Sequence, residues 1–338
     1  MTGGGAIPKG EFGRIRDFFA PLTGGAADSF GLMDDAALLR APPGTEIAVT
    51  ADAIVQGVHY PPDAPPEEVA ARLLGVNLSD LAAKGAVPLC YMLTMQLPPD
   101  RDDAWVGRFA AALADRQAQS GWRLLGGDSV RTPGPDAFSV TAFGHVPAGT
   151  LLRRGGARPG DLLYASGTIG DAALGLMLAE GRPGPDGDIA ASAADAAFLA
   201  ERFRLPLPRL ALGQALRGLA SACMDVSDGL AGDLAKLAAA SGCGAELTAP
   251  LVPLSGAARR ALARQPALLE TLLCGGDDYE LLFTLPPARQ KALAAAARRA
   301  GTPVTRIGVM TAAPAGEVRV TDAAGRPLTL ARPGYRHG

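Results

Sequence analysis

The 338-residue sequence predicts an α/β protein of the α+β type, built in two halves. Three observations carry that expectation. Short apolar runs with strand character alternate with longer segments of helical spacing along most of the chain. The turn-rich stretch RRGGARPG interrupts the alternation near its middle, where a domain boundary belongs. The length also exceeds one ordinary core, so two domains are expected, residues 1–150 and 151–338.

The Gly-rich residues 1–10 read as a frayed lead-in. Glu11 to Leu22 has helical spacing, with Phe12, Ile15, Phe18 and Phe19 as its apolar stripe. Ile47 to Thr50 reads as a strand ending at Asp52, and Glu67 to Ala86 as a helix closed by Gly85 and Pro88. Leu89–Leu97 is predicted as a strand, Asp102–Gly121 as a second long helix, and Phe138–Val146 as another strand. The second half opens with a strand at Asp161–Ser166. Helical spacing follows near 171–179, 208–220, 227–240 and 286–300, with strands at Tyr279–Leu285 and Pro303–Val309. The stretch GRPGPDGDIAAS, residues 181–192, reads as a loop.

Composition removes several classes of function. With 48% hydrophobic and 20% charged residues the chain is globular, and its formal charge of −2 gives no footprint for nucleic acid or an anionic membrane. No apolar stretch has the length of a membrane span, and the N-terminus lacks a signal-peptide core, so a cytoplasmic location is expected. Cys90, Cys223, Cys243 and Cys274 form no CxxC pair, which points to buried thiols rather than zinc or disulfides.

The acidic residues gather in short clusters flanked by Gly or Ser. These are MDDAALL (Asp34, Asp35), VTADAIVQGVHY (Asp52), NLSDLAAKGA (Asp80), LLGGDSVRT (Asp128), MDVSDGLAGDL (Asp225, Asp228) and CGGDDYELLF (Asp277, Asp278). One Asp after a strand is ordinarily an N-cap or turn residue. Repeated small-residue and Asp junctions point further, because carboxylates that converge repel unless a cation sits between them. Magnesium, with a few carboxylates plus phosphate oxygens and waters, satisfies that pattern. No GxxxxGK[ST] string occurs, and HRD and DFG are absent, so neither a Walker loop nor the protein-kinase set is present. Gly126-Gly127, Gly275-Gly276 and Ser227-Asp228-Gly229 offer backbone amides for anions, and Arg153, Arg154 and Arg158 offer fork-shaped donors.

In this order and spacing, NLSDLAAKGA, GGDSVRT, RRGGARPGD, DVSDGL and GGDDYEL resemble the thiamine-monophosphate kinase family over nearly the whole chain. The resemblance implies the two-domain aminoimidazole-ribonucleotide-synthetase-like fold, with N-terminal domains pairing in a homodimer. It also implies ATP as co-substrate, several Mg2+ ions, and conversion of thiamine monophosphate to thiamine diphosphate by direct in-line transfer. Carried over by motif, Asp35, Asp52, Asp80, Asp128, Asp225 and Asp228 would be metal carboxylates, with Ala51 offering a backbone oxygen. Thr50, Gly127, Asp128, Arg154 and Ser227 would contact ATP, and His59, Asp277 and Tyr335 the thiamine phosphate. No nucleophile or general base is implied.

Three positions depart from the family pattern. Met33 precedes the paired Asp where a small residue is usual, Ala51 replaces a hydroxyl residue, and Asp277 is one methylene shorter than the usual Glu. Sister enzymes of the superfamily, of the formylglycinamidine-ribonucleotide cyclase or selenophosphate synthetase type, share the fold and the ATP chemistry. A selenophosphate synthetase would carry a reactive Cys in its Gly-rich N-terminal segment, and GGGAIPKGEFG has none. A non-catalytic nucleotide-binding protein would have shed metal carboxylates that this chain keeps.

Overall fold

The computed structural model describes residues 9–331 and Gly334. Most of the Gly-rich lead-in, through residue 8, and Tyr335 lie outside the described residues. The chain up to Asn77, with Pro88–His145, forms one compact unit; Leu78–Val87 and the chain from Val146 onward form the other.

The first unit opens with α1 (Glu11–Arg14), which widens into a π turn at Ile15–Phe19 and tightens into a 3-10 turn at Ala20–Thr23. The regular helix expected over 11–22 is therefore broken. Pro21 has no N–H for a helix interior, so the winding changes around it. Four strands follow: β1 (Thr45–Val55), β2 (Val87–Leu97), β3 (Leu124–Arg131) and β4 (Ala137–Pro147), in the sheet order β1-β4-β2-β3. β1 does not end at Asp52 but runs on to Val55, because its period-two alternation continues through three more small or apolar positions, Ala53, Ile54 and Val55. Two long helices, α2 (Pro66–Ala83) and α3 (Asp103–Ser120), accompany this sheet. Asp102 caps α3 by accepting the Trp105 N–H at 2.8 Å, and Phe109 and Phe138 stack at 4.8 Å between helix and sheet. β4 alternates buried and half-buried residues along nearly its full length, the mark of a sheet with one covered face.

The second unit is built on β5 (Leu162–Ser166), β6 (Ala222–Asp225), β7 (Gly244–Thr248), β8 (Leu281–Leu285), β9 (Val304–Thr311) and β10 (Val318–Thr321). Their order is β10-β7-β9-β5-β8-β6, antiparallel except for the parallel β10–β7 pair. Its helices are α4 (Asp171–Ala179), α5 (Ala193–Arg204), α6 (Leu210–Leu216), α7 (Leu230–Ser241), α8 (Gly256–Arg264), α9 (Leu268–Cys274) and α10 (Gln290–Ala300).

Alternate residues of the central strands enter two separate cores. Leu163, Met224 and Leu282 pack with Leu230, Leu234 and Leu237 of α7. Leu162, Cys223 and Phe283 pack with Leu212 and Leu216 of α6 and Leu293 of α10. The sheet is thus buried on both faces, and each fully buried Leu contributes roughly 1.5–3 kcal/mol. α4, α5, α8 and α9 close a third cluster around Leu174, Leu199 and Leu272. The last turn of α2 joins this unit through Ala82 and Ala83, where Gly213 comes so close to the Ala82 carbonyl that a Cβ would overlap it.

All four cysteines are buried thiols. Among the described residues no helix is long and apolar enough to cross a membrane.

Candidate active site

In the first unit, the site residues named by sequence lie on strands and in the turn after β1, except Asp35, which lies in the loop before β1. Thr50 and Asp52 share one face of β1 and Ala51 points to the other, as a period of two requires. The Asp52 N–H donates to Asn77 Oδ1 at 3.1 Å, and Asn77 is fully buried, its amide donating to the Leu73 carbonyl at 2.9 Å. Sequence reasoning passed over Asn77; an amide buried in the middle of an apolar helix was the available signal.

His59 sits in the turn after β1, where its N–H donates to the Val55 carbonyl and its Nδ1 accepts the Val55 N–H at 3.0 Å. With Nδ1 accepting, a neutral ring carries its proton on Nε2. Tyr60, beside it, donates to the buried Asp136, which Arg101 also pairs at 2.5 Å.

Gly127 and Asp128 lie on β3, in register with Leu93 and Thr94 of β2. A Cβ at Gly127 would overlap the Leu93 carbonyl oxygen, so glycine is needed there for close backbone approach. A cavity of about 270 Å³ borders these two residues, with Lys9, Arg14 and Arg131 on its wall. Asp35 is exposed, its N–H held by Asp34 Oδ1 at 2.8 Å. The substitution of Met33 in that turn is accommodated: its φ is −110°, open to any residue, and the left-handed positions fall on Phe30, Gly31 and Leu32 instead.

This sheet does not bring all these groups together. β1 and β3 are its opposite edges. Asp52 and Asp128 are therefore about three strand spacings apart, roughly 14 Å.

The second unit is arranged differently. β6 delivers Asp225 into the loop Val226–Gly229 ahead of α7, and the loop Gly275–Glu280 leads into β8. The strand pairing of β6 with β8 continues through both loops. Val226 N–H donates to the Glu280 carbonyl at 2.8 Å, Tyr279 N–H to Val226 at 2.8 Å, and Asp277 N–H to Ser227 at 2.9 Å. Gly276 lies against the Ser227 carbonyl and Gly229 against the Cys274 carbonyl, each too close for a Cβ. The strand expected from Tyr279 accordingly starts two residues later, because Asp277 (φ 72°) and Tyr279 (φ 51°) are in the left-handed region. The helix expected from Ser227 starts at Leu230, because the Ser227 carbonyl is engaged by the Asp277 N–H and Gly229 (φ 108°) is far from helical.

Buried polar groups hold these loops. Asp233 is fully buried and accepts the N–H groups of Ser227 (3.0 Å) and Asp228 (2.9 Å), while Lys236 bridges Asp233 and Asp228. Glu280, also fully buried, accepts from Ser166 Oγ at 2.6 Å and from Arg202 and Arg209. Asp278 accepts the Gly170 N–H at 2.7 Å, and burial pushes its carboxyl well above the usual carboxylate range. None of Asp233, Lys236 or Glu280 was singled out from sequence. Their positions within or beside the motifs DVSDGLAGDL and GGDDYEL were the only cue.

Asp225 accepts from Ser79 Oγ at 2.6 Å. Burial, and next the charge of Asp80, push its carboxyl up to about 7. Arg154 is exposed and follows Arg153, whose carbonyl accepts the Cys223 N–H on β6; Gly155 and Gly156 behind it leave no room for side chains.

A hard cation fits the chemistry of Asp80 and Asp225, since the repulsion by Asp80, which adds to burial in lifting Asp225, is what a divalent ion would remove. Among the described residues no three His, Cys, Asp or Glu side chains converge on one metal position. Magnesium does not require such a cage, since it keeps waters and shares phosphate oxygens with one or two carboxylates.

A two-unit α/β chain with glycine-flanked acidic loops at its strand ends matches the AIR synthase related proteins. The model of their N-terminal domain matches residues 33–146 and that of their C-terminal domain residues 158–321. The chain is 41% identical over 329 residues to thiamine-monophosphate kinase of Escherichia coli (strain K12), covering 97% of this chain and 98% of that one. The crystal structure of thiamine-monophosphate kinase from Stenotrophomonas maltophilia K279a superposes with a TM-score of 0.80 at 38% identity, over 93% of this chain and 96% of that one. A structure of AaThiL complexed with AMPPCP and TMP gives a TM-score of 0.75 at 27% identity, over 90% and 91% of the two chains. The chain belongs to the thiamine-monophosphate kinase family.

Proposed function

We propose that this chain transfers the γ-phosphate of ATP to thiamine monophosphate, yielding thiamine diphosphate. The observation that carries the reading is the ladder joining DVSDG to GGDDYE in a member of this family. It holds Ser227, read as an ATP contact and next in the chain to the metal carboxylate Asp228, beside Asp277, read as an acceptor contact. A relative crystallised with an ATP analogue and TMP supports both substrates.

In this reading the phosphate oxygen of thiamine monophosphate attacks the γ-phosphorus in line, and the bond to the β–γ bridging oxygen breaks to release ADP. The acceptor is already ionised at neutral pH, so no protein nucleophile or base is needed. Asp35, Asp52, Asp80, Asp128, Asp225 and Asp228 would hold magnesium, together with the Ala51 carbonyl. When bound, magnesium supplies the positive charge that lets two phosphate groups approach. Thr50, Gly127, Arg154 and Ser227 position ATP; His59, Asp277 and Tyr335 position thiamine monophosphate. The N-terminal domain supplies the dimer contact and part of the ATP site, and the C-terminal domain completes it. A homodimer paired through the first sheet gives the separated carboxylates of β1 and β3 a route to meet.

Incubation of the full chain with ATP, Mg2+ and thiamine monophosphate, followed by chromatography, tests the reading. Thiamine diphosphate and ADP in equal amounts are expected. ATP consumption without thiamine diphosphate overturns it.

A further inference from the structure

The loop before β8 holds two non-glycine residues in left-handed conformation, Asp277 and Tyr279, with one buried residue between them. A bulky aromatic at φ 51° is a costly choice for a loop, and such outliers persist where surrounding contacts over-determine them. Here the Tyr279 N–H is held by the Val226 carbonyl at 2.8 Å, and the ring is buried. This conformation turns the Tyr279 hydroxyl back on its own loop, where it donates to Asp277 Oδ1 at 3.0 Å. The Asp277 backbone is fixed separately by its N–H bond to Ser227. Main chain and carboxylate of Asp277 are thus held by different groups.

We infer that Tyr279 is a positioning residue for the acceptor substrate, aiming the short Asp277 carboxylate toward thiamine monophosphate. This rests on the proposed reading of Asp277 as an acceptor ligand. An Asp has only two side-chain torsions, and one hydrogen bond to a buried hydroxyl removes most of their freedom. The second carboxylate oxygen is then presented in a fixed direction, while Tyr279 itself touches no substrate.

The test compares wild type, Tyr279→Phe, Asp277→Asn and the double variant of the full chain, under saturating Mg2+. Phenylalanine keeps the ring and pays the same backbone cost, and asparagine tolerates the left-handed region. Tyr279→Phe is expected to raise KM for thiamine monophosphate about three- to tenfold, the range for one orienting hydrogen bond, with kcat and the KM for ATP within about twofold. Asp277→Asn is expected to raise that KM further, and the double variant to be no worse than Asp277→Asn alone, because two residues acting through one contact are not additive.

An unchanged KM in Tyr279→Phe overturns the positioning role and leaves Asp277 as a ligand. Equal loss in kcat and both KM values with a lowered melting temperature overturns it as well, since Tyr279 is then only structural. Additive effects in the double variant do the same. An unchanged KM in Asp277→Asn overturns the acceptor reading of Asp277 itself, and the inference with it.

Discussion

The two units hold their carboxylates in contrasting ways. The first spreads Asp52 and Asp128 onto opposite edges of a sheet that exposes Val49, Met92 and Val130. The second gathers Asp225, at the end of β6, with Asp228 and Asp277 in two loops laced together at the end of a sheet buried on both faces. A buried sheet extended by a backbone ladder fixes its loops without outside help. The first sheet, by contrast, keeps Asp52 and Asp128 three strands apart and leaves apolar side chains exposed. The difference teaches that the second unit holds its acidic loops by its own backbone ladder, whereas the carboxylates of the first would need the proposed homodimer to meet.

The largest effect is expected where charge alone is removed from the second unit. Asp80→Asn and Asp228→Asn should each lower kcat at least about 100-fold, as loss of a group acting on transferring phosphate does. Their stabilities should part company. Asp80→Asn relieves repulsion with Asp225, so its metal-free melting temperature should be equal or higher. Asp228→Asn relieves a repulsion with the buried Asp233 but breaks the Lys236 ion pair, so its melting temperature should not rise. Calorimetry with steady-state kinetics checks both; near wild-type turnover in either would remove that residue from the metal set.

The proposed pairing of the first unit is tested through its exposed apolar residues. Light scattering should give wild type about twice the 34.4 kDa of one chain. Val49→Asp with Met92→Asp should give a monomer whose turnover falls by more than about tenfold, although every carboxylate is intact. A monomeric wild type with full activity would erase the contrast between the units.

A finer cut falls within β3. Gly127→Ala forces a Cβ onto the Leu93 carbonyl and should cost about 2 kcal/mol in denaturant unfolding. Gly126→Ala, which meets only the Met92 methyl at ordinary distance, should be within about 0.5 kcal/mol of wild type. Equal costs would mean that close backbone approach is not what glycine serves at 127.

The smallest effect is a slope with pH. Asp225 is held up to about 7 in the fold, above an ordinary carboxyl near 3.8, so the folded state binds its proton more tightly than the unfolded state. That contribution is fully present below about pH 4 and is lost as pH rises to about 7. In chelator, the melting temperature should fall across this window, and Asp225→Asn should flatten the fall. A wild-type profile as flat as that of the variant would show Asp225 ionised throughout.

Strands with alternating faces and helices with strong stripes were legible in sequence: Leu89–Leu97, 102–121 and 161–166 reappear as β2, α3 and β5. Elements whose chemistry is bland were not. α5, α8 and α9 are short and rich in Ala, Arg and Leu, and they form by packing on one another around Leu199 and Leu272. β7 and β10 are five and four residues long, and pairing rather than propensity makes them strands.

The site shows the same division. The sequence by itself determined the family and the acidic motifs, because Asp, Gly and Ser at fixed spacing are local properties of the chain. It also determined that no Walker loop holds the phosphates. Only the tertiary structure decided that Asp277 and Ser227 are hydrogen-bonded neighbours, some fifty residues apart in the chain. It alone placed Asp233 and Glu280 behind them as buried anchors, and set Asp52 and Asp128 at opposite edges of one sheet. Such pairings depend on strand order and register, which arise when alternate residues of each strand find their separate cores, and no local spacing encodes that choice.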